Sequence, residues 1–251
     1  MYPVLFRMGS FEVTTFGVLV AVAALVGIRL FSRELGRSRL PRDAVDAAML
    51  GVIGGLAGAK LLWTVEFLGD RPVQDLLFSR GGLSWFGGLI GGVSTGLWIL
   101  RRRRVPIVRA LAAATPALAI GHAIGRLGCF LVGDDYGRPS DLPWAVAFPE
   151  GLPPTTVPVH PTQIYEAIAL VASAVVLLRW RRAGVSDTEV LGRYLMLAGS
   201  TRFAIEFIRV NAPVLGPFTL AQSISFALVI AGIVMILRDR MRAVSRLDEA
   251  E

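Results

Sequence analysis

The chain has 251 residues, 54% of them hydrophobic, and a mean hydropathy of +0.60. That is too apolar for a soluble domain of this length and points to a polytopic membrane protein. The formal charge of +7 does not mark a nucleic-acid partner, because the basic residues fall in short clusters between apolar runs. Cys129 is the single cysteine, which excludes an intrachain disulfide and a thiolate metal cluster. Two histidines, His122 and His160, argue against a zinc site. No metal or other cofactor is expected.

In chain order, residues 1–13 carry one arginine, Arg7, and no small-residue cleavage site, so they read as an interfacial lead-in rather than a removable signal peptide. Seven apolar stretches come next, near 14–31, 46–66, 83–100, 106–125, 161–178, 190–208 and 218–237. Each is long enough, or nearly so, for a bilayer core of about 30 Å. The expected fold class is an all-α polytopic membrane protein, with residues 1–251 as one integral membrane domain of seven transmembrane helices. The long segment 126–160, rich in proline and carrying Asp134, Asp135, Asp141 and Glu150, is expected to form a small extracytoplasmic cap. A loop of that length in a compact protein is usually functional.

Arginine placement sets the orientation. Arg33, Arg37, Arg39 and Arg42 come after the first span, and Arg101 to Arg104 with Arg109 after the third. Arg179, Arg181, Arg182 and Arg193 come after the fifth, and Arg238, Arg240, Arg242 and Arg246 after the seventh. The opposite side has fewer: Arg7, Arg71, Arg80, Arg126, Arg138 and Arg209. This bias places the amino end outside and the carboxyl end in the cytoplasm. The run Arg101–Arg104 is therefore a cytoplasmic topology anchor rather than a nucleic-acid motif. Small-xxx-small pairs at Gly51 and Gly55, Gly54 and Gly58, Gly87 and Gly91, Gly88 and Gly92, and Gly121 and Gly125 let helix backbones approach closely. The glycine pairs Gly81–Gly82 and Gly87–Gly88 around Trp85–Phe86 are denser than packing requires.

With that topology, most of the unusual polar residues fall in the outer leaflet. Arg126 ends the fourth span, Lys60 lies in the outer half of the second, and Arg202, Glu206 and Arg209 share one face of the sixth. Charges at such depth are costly and mark function by default. Arginines with few carboxylates near them suit an anionic phosphate, through bidentate charge-assisted hydrogen bonds. Bland readings stand beside this one: Arg202 with Glu206 as a structural ion pair, and Arg126 snorkelling to the interface.

The stretch GRLGCFLVGDDYGRP, beginning at Gly125, resembles the signature of the bacterial phosphatidylglycerol–prolipoprotein diacylglyceryl transferases, written around G-R-x-G-N-F-x-N-x-E-x-x-G-R. The resemblance continues in GAK (Gly58–Lys60), GGLSWFGGLIGG (Gly81–Gly92), HPTQIYEA (His160–Ala167) and RFAIEFIR (Arg202–Arg209), in order along nearly the whole chain. It implies an enzyme of the bacterial cytoplasmic (inner) membrane with two partners, phosphatidylglycerol and prolipoprotein signal peptides carrying a lipobox cysteine. The diacylglyceryl group passes to the cysteine thiol as a thioether, and glycerol phosphate leaves. Carried over position by position, Arg126 and Arg202 match the family's two essential arginines and Glu206 their partner acid. Gly137 matches the signature glycine and Asp134 the signature glutamate. Lys60 stands where arginine is usual. Arg209, His160 and Gln163 fall within the matching segments as substrate-binding candidates.

Four positions depart from the family. Phe86 replaces the histidine of the H-G-G-L-I-G motif, Phe16 replaces a tyrosine in the first span, and Cys129 and Val132 replace the two signature asparagines. Phe86 takes no proton. The base candidates are then His122, on the same helical face as Arg126, followed by Glu206, Asp134 and His160. Helix packing is the competing reading for His122, and packing is also the reading for Cys129. Asp135 and Arg138 are read as structuring the cap. The substitutions leave one alternative, an inactive homologue that binds anionic lipid or lipoprotein precursor. A small transporter would need midplane polar residues and a repeat between halves, and the sequence has neither.

Overall fold

The structure is a computed structural model, and it describes residues 2–9, 11–79, 82–211, 213–214 and 216–248. Arg80 and Gly81, the latter opening one of the matching glycine motifs, lie outside the described residues. The chain order is β1 (Val4–Met8), β2 (Phe11–Thr14), α1 (Thr15–Arg37), α2 (Val45–Glu66), α3 (Val73–Phe78), α4 (Trp85–Arg102), α5 (Ile107–Val132), β3 (Val146–Phe148), β4 (Thr155–Val159), α6 (Thr162–Arg182), α7 (Asp187–Glu206) and α8 (Leu220–Asp248). Among the described residues, five stretches are long and apolar enough to cross a membrane: α1, α2 with the turn before it, α5, α6 and α8. Helices α4 and α7 are 18 and 20 residues long but less apolar. Glycines and a double-arginine end dilute α4, and acids and arginines dilute α7. The outer faces of the spanning helices show Leu25, Ile53, Leu61, Ile168, Phe226 and Leu237, a surface suited to lipid rather than water.

The strands are additions to the all-α expectation. Residues 1–13, read as a lead-in, hold the antiparallel pair β1–β2, with Arg7 opposite Glu12 and their side chains paired at 2.7 Å. The hairpin is tied to α1 and α5: Thr15 donates its amide to Pro3 O and its hydroxyl to Tyr2 O, and Tyr2 N donates to Leu131 O on α5. A second antiparallel pair, β3–β4, lies in the loop between α5 and α6. Here alternation is short and broken by Pro158, which hides it from a reading by periodicity.

The chain divides into two compact units. In the unit Ile28–Ala113, α2 and α4 meet along their glycines. A Cβ added at Gly58 would stand 2.4 Å from Gly87 O, and one at Gly91 would stand 2.3 Å from Gly54 O. This is backbone-to-backbone packing, as the small-residue pairs predict. At the arginine-rich end of this unit, Arg103 pairs with Asp46 at 2.7 Å and Arg109 donates to Ser38 O at 2.7 Å. The fifth small-residue pair, in the other unit, is looser: a Cβ at Gly121 would stand 3.7 Å from Ala23 O, and none of the described residues comes within 4 Å of one at Gly125.

The other unit joins residues Met1–Gly27 to Ala114–Glu251. Helix α7 starts where Ser186 Oγ accepts from Glu189 N at 3.1 Å. Helix α8 starts at a reciprocal box, Gln222 N to Thr219 Oγ1 and Thr219 N to Gln222 Oε1. Both satisfy amides that a helix start leaves unpaired. The two helices then pack through glycine: a Cβ at Gly192 would meet Gly232 O at 2.8 Å, and one at Gly199 would meet Ser225 O at 2.7 Å. These three glycines are not four residues apart, so no small-xxx-small spacing marks them. Helix α5 runs on through Arg126 to Val132. The span expected to stop at Gly125 therefore continues, since GRLGCFLV holds no residue that ends a helix except its outlying glycines, and Gly133, at φ +78°, closes it.

Candidate active site

Four segments of the second unit bring charge to one place. Helix α5 supplies Arg126 and, one turn earlier, His122. The loop after it supplies Asp134 and Asp135, the second turn of α6 supplies Glu166, and the end of α7 with its continuation supplies Arg202, Glu206 and Arg209.

Arg126 is the centre. It is 7% exposed, and its Nε and Nη2 donate to Glu166 Oε2 at 2.6 and 2.5 Å, while Nη1 donates to Asp135 Oδ2 at 2.8 Å. The guanidinium is thus held on two sides in a fixed plane, the geometry in which arginine excels over lysine. Glu166, 1% exposed, also stands 3.7 Å from Arg202 Nη1 and, through its other oxygen, 3.7 Å from His122 Nε2. Arg202 Nη2 contacts Glu206 Oε2 at 3.0 Å, an ion pair without good hydrogen-bond alignment. Asn211 Nδ2 donates to the other oxygen of Glu206 at 2.7 Å.

Asp135 has φ +61°, a left-handed conformation that Asp tolerates better than most residues. It turns both its carbonyl and its carboxylate toward Arg209, whose Nη1 donates to Asp135 O at 2.9 Å and Nη2 to Oδ1 at 2.6 Å. One carboxylate therefore ties Arg126 to Arg209. Partial burial alone would raise the Asp135 carboxyl, but the hydrogen bond and charge of Arg209, then those of Arg126, outweigh it and hold the group at about 2. A folded value below the unfolded 3.8 gives stability that is present above about pH 4 and lost as pH falls toward 2. We predict that Asp135→Asn lowers the thermal midpoint of detergent-solubilised protein at pH 7 and flattens its dependence on pH between 4 and 2. An unchanged slope in that window would remove this link. Asp134 goes the other way: burial pushes its carboxyl up, partly offset by the hydrogen bond from Cys129, while Asp135 adds to the rise.

Gly137 locks the loop in place. A Cβ there would lie 2.6 Å from Ile208 O, 2.8 Å from Thr162 Cγ2 and 2.9 Å from His160 Cβ. Backbone bonds Gly137 N to His160 O (2.9 Å) and Arg138 N to Ile208 O (2.8 Å) join the start of α6 and the end of α7 to this loop. Arg138 also donates its side chain to Phe207 O. Thr162 Oγ1 donates to Asp135 O at 2.8 Å and Gln163 Nε2 to Asp134 O at 2.5 Å. His160 lies off the cluster, its Nδ1 3.4 Å from Tyr165 Oη. Cys129 Sγ is 3.8 Å from Arg126 Nη1. Phe16 packs where a Cβ on Gly128 would come within 3.1 Å of its ring.

Two expected site residues belong to the unit Ile28–Ala113. Lys60 Nζ donates to Ser79 O and Ser79 Oγ, both at 2.8 Å, and sits 4.6 Å over the Trp63 ring. These contacts tie the turn before α4. Phe86 is in the first turn of α4, 43% exposed.

The cluster departs from the sequence reading in its charge. Three guanidinium groups face three carboxylates, Asp135, Glu166 and Glu206, so the arginines are not poor in acidic neighbours. Glu166 and Asp135 are site residues that sequence reasoning misses. A signal for Glu166 exists, since an acid five residues into an apolar span carries the same cost that singles out Arg126. Among the described residues, two buried donors of the cluster make no hydrogen bond, Arg202 Nη1 and Arg209 Nε. Buried donors ordinarily find an acceptor, and these two are suited to the oxygens of an anion.

The comparisons agree with the motifs. The family model "Prolipoprotein diacylglyceryl transferase" matches residues 3–238. A Geobacter sulfurreducens protein named phosphatidylglycerol–prolipoprotein diacylglyceryl transferase is 32% identical, over 93% of each chain. Proteins of the same name from Clostridium tetani (29% identical, 96% of this chain and 99% of the relative) and Bacillus cereus (30%, 92% and 89%) are similar along their length. Together with its apolar helices, this makes the chain a multi-pass membrane protein. It belongs to the prolipoprotein diacylglyceryl transferase family.

Proposed function

We propose that the chain transfers the diacylglyceryl group of phosphatidylglycerol to the thiol of a prolipoprotein's lipobox cysteine, making a thioether and releasing glycerol phosphate. The observation that carries this reading is the buried triple-arginine cluster, with two guanidinium donors unsatisfied, in a chain of this family. As thiolate attacks the glyceryl carbon and the C–O bond breaks, negative charge grows on the departing phosphate. Fixed guanidinium donors stabilise that charge without reorganising. Arg126, Arg202 and Arg209 take this role. Glu206 orients Arg202, and Gly137 lets the Asp134–Asp135 loop close on the cluster. Gln163, Cys129, Phe16 and His160 border the headgroup; Lys60 and Phe86 are substrate-binding candidates on the matching motifs alone.

In this reading residues 1–251 are one integral membrane domain of seven spans, counting α4 and α7 with the five most apolar helices. The arginine bias between spans supports an amino end outside and a carboxyl end in the cytoplasm of the bacterial inner membrane. The segment 133–160, which follows α5, is then an extracytoplasmic cap, and the cluster opens to outer-leaflet lipid.

The test is purified protein in detergent with phosphatidylglycerol and a lipobox peptide, read by mass spectrometry. The expected result is a diacylglyceryl adduct on cysteine, with Phe86→Ala keeping substantial activity. No adduct where the Geobacter sulfurreducens relative makes one would overturn the reading, and lipid binding without turnover would favour an inactive homologue.

A further inference from the structure

The transferase reading needs a proton acceptor for the thiol, and the groups at the cluster differ in what already holds them. Asp135 is engaged by two arginines and stays ionised down to about pH 2. Glu206 is 4% exposed and faces Arg202, Arg209 and Asn211. Glu166 Oε2 is taken by Arg126. The His160 ring is turned to Tyr165. Asp134 is engaged by the Cys129 thiol and is the rival acceptor. The remaining candidate is the ring that the other Glu166 oxygen, Oε1, faces at 3.7 Å, His122, whose side chain is half exposed. His122 is one turn before Arg126 on α5, so the two project from one face.

We propose that His122 is the general base of the transfer and that Glu166 is its positioning residue, a deepening that rests on the transferase reading above. Glu166 Oε1, 3.7 Å from His122 Nε2, favours the neutral tautomer that keeps its proton on Nε2, which leaves the Nδ1 lone pair for the substrate. The proton on sulfur moves to Nδ1, and the thiolate attacks the glyceryl carbon. The C–S bond forms as the C–O bond breaks, and the electron pair leaves on the phosphate oxygen. The imidazolium then returns its proton to the released glycerol phosphate. The charged groups facing His122 come from three helices: Glu166 on α6, Arg126 on α5 and Arg202 on α7. Glu166 faces the ring as the acid faces the histidine of a catalytic triad.

The experiment compares pH–rate profiles of wild type, His122→Gln and His122→Ala, with imidazole added to the last. General-base catalysis contributes about 100-fold or more. The expected result is a fall in kcat of that size in His122→Gln, with KM for phosphatidylglycerol within about twofold and the acid-side limb of the profile gone. Imidazole restores activity to His122→Ala and not to Arg126→Ala. Glu166 also holds Arg126, so its action through His122 is read from a double-mutant cycle: Glu166→Gln costs less in the His122→Gln background than in wild type. An unchanged rate and profile in His122→Gln overturns the proposal. So does loss of the limb in Asp134→Asn while His122→Gln keeps it. Failure of wild type to form any adduct is a separate outcome, seen before any variant is made, and defeats the transferase reading instead.

Discussion

Arg126→Ala is expected to lower transfer at least about 1,000-fold, the scale set by removing an arginine that stabilises a transferring phosphate. The loss has two parts that a pair of variants separates. Alanine removes the phosphate donor, and it also strands Glu166, which is 1% exposed and takes two of its hydrogen bonds from Arg126. A buried charge deprived of its partner costs about 3–5 kcal/mol, so the alanine variant is also expected to melt earlier in detergent. Arg126→Lys keeps the charge for Glu166 but cannot span Glu166 and Asp135 together from one planar group. It should recover most of the thermal midpoint and little of the activity. Equal recovery of both would mean that Arg126 acts through folding alone, and full activity in the alanine variant would remove it from the mechanism.

The second large effect is expected at Gly137, where no charge is involved. Gly137→Ala puts a methyl against Ile208 O, Thr162 Cγ2 and His160 Cβ, all at 2.6–2.9 Å. Two of these neighbours belong to or adjoin backbone that is itself hydrogen-bonded, Gly137 N to His160 O and Arg138 N to Ile208 O. Overpacking of this kind costs about 1–3 kcal/mol. Relief requires the loop to move off the end of α7, and that movement carries Asp135 away from Arg209. Activity should fall by about 100-fold, since misplacing catalytic groups by about 1 Å has that effect. The thermal midpoint should drop in the same variant. Transfer at the wild-type rate would show that the loop tolerates the displacement.

Much of the architecture is legible in the sequence. Among the described residues, the long helices fall near the apolar runs, five of them apolar enough to span, and the glycine seam of α2 and α4 tracks the small-xxx-small pairs. Arg126, Arg202, Glu206 and Arg209 stand out because ionised groups in apolar sequence are costly. Pairing is what the sequence hides. Arg126 meets Glu166 across 40 residues and Arg209 meets Asp135 across 74, so no local spacing reports either contact. Asp135 reads as a loop acid because its part in the cluster depends on a left-handed backbone. The extension of α5 past Arg126 is hidden for a different reason: the arginine reads as the edge of the span, although Leu127–Val132 beyond it is apolar again and the helix runs on to Val132. The β1–β2 and β3–β4 pairs are too short to declare a period.

The two oxygens of Asp135 are divided between two arginines, one to Arg126 and one to Arg209. All the donor nitrogens of Arg126 are held by carboxylates, so a phosphate that takes hold of it does so by an exchange of anions rather than by filling a positively charged hole. Release of product then has a built-in competitor, because the displaced carboxylate stays tethered by its other oxygen and recaptures the arginine as soon as glycerol phosphate lets go.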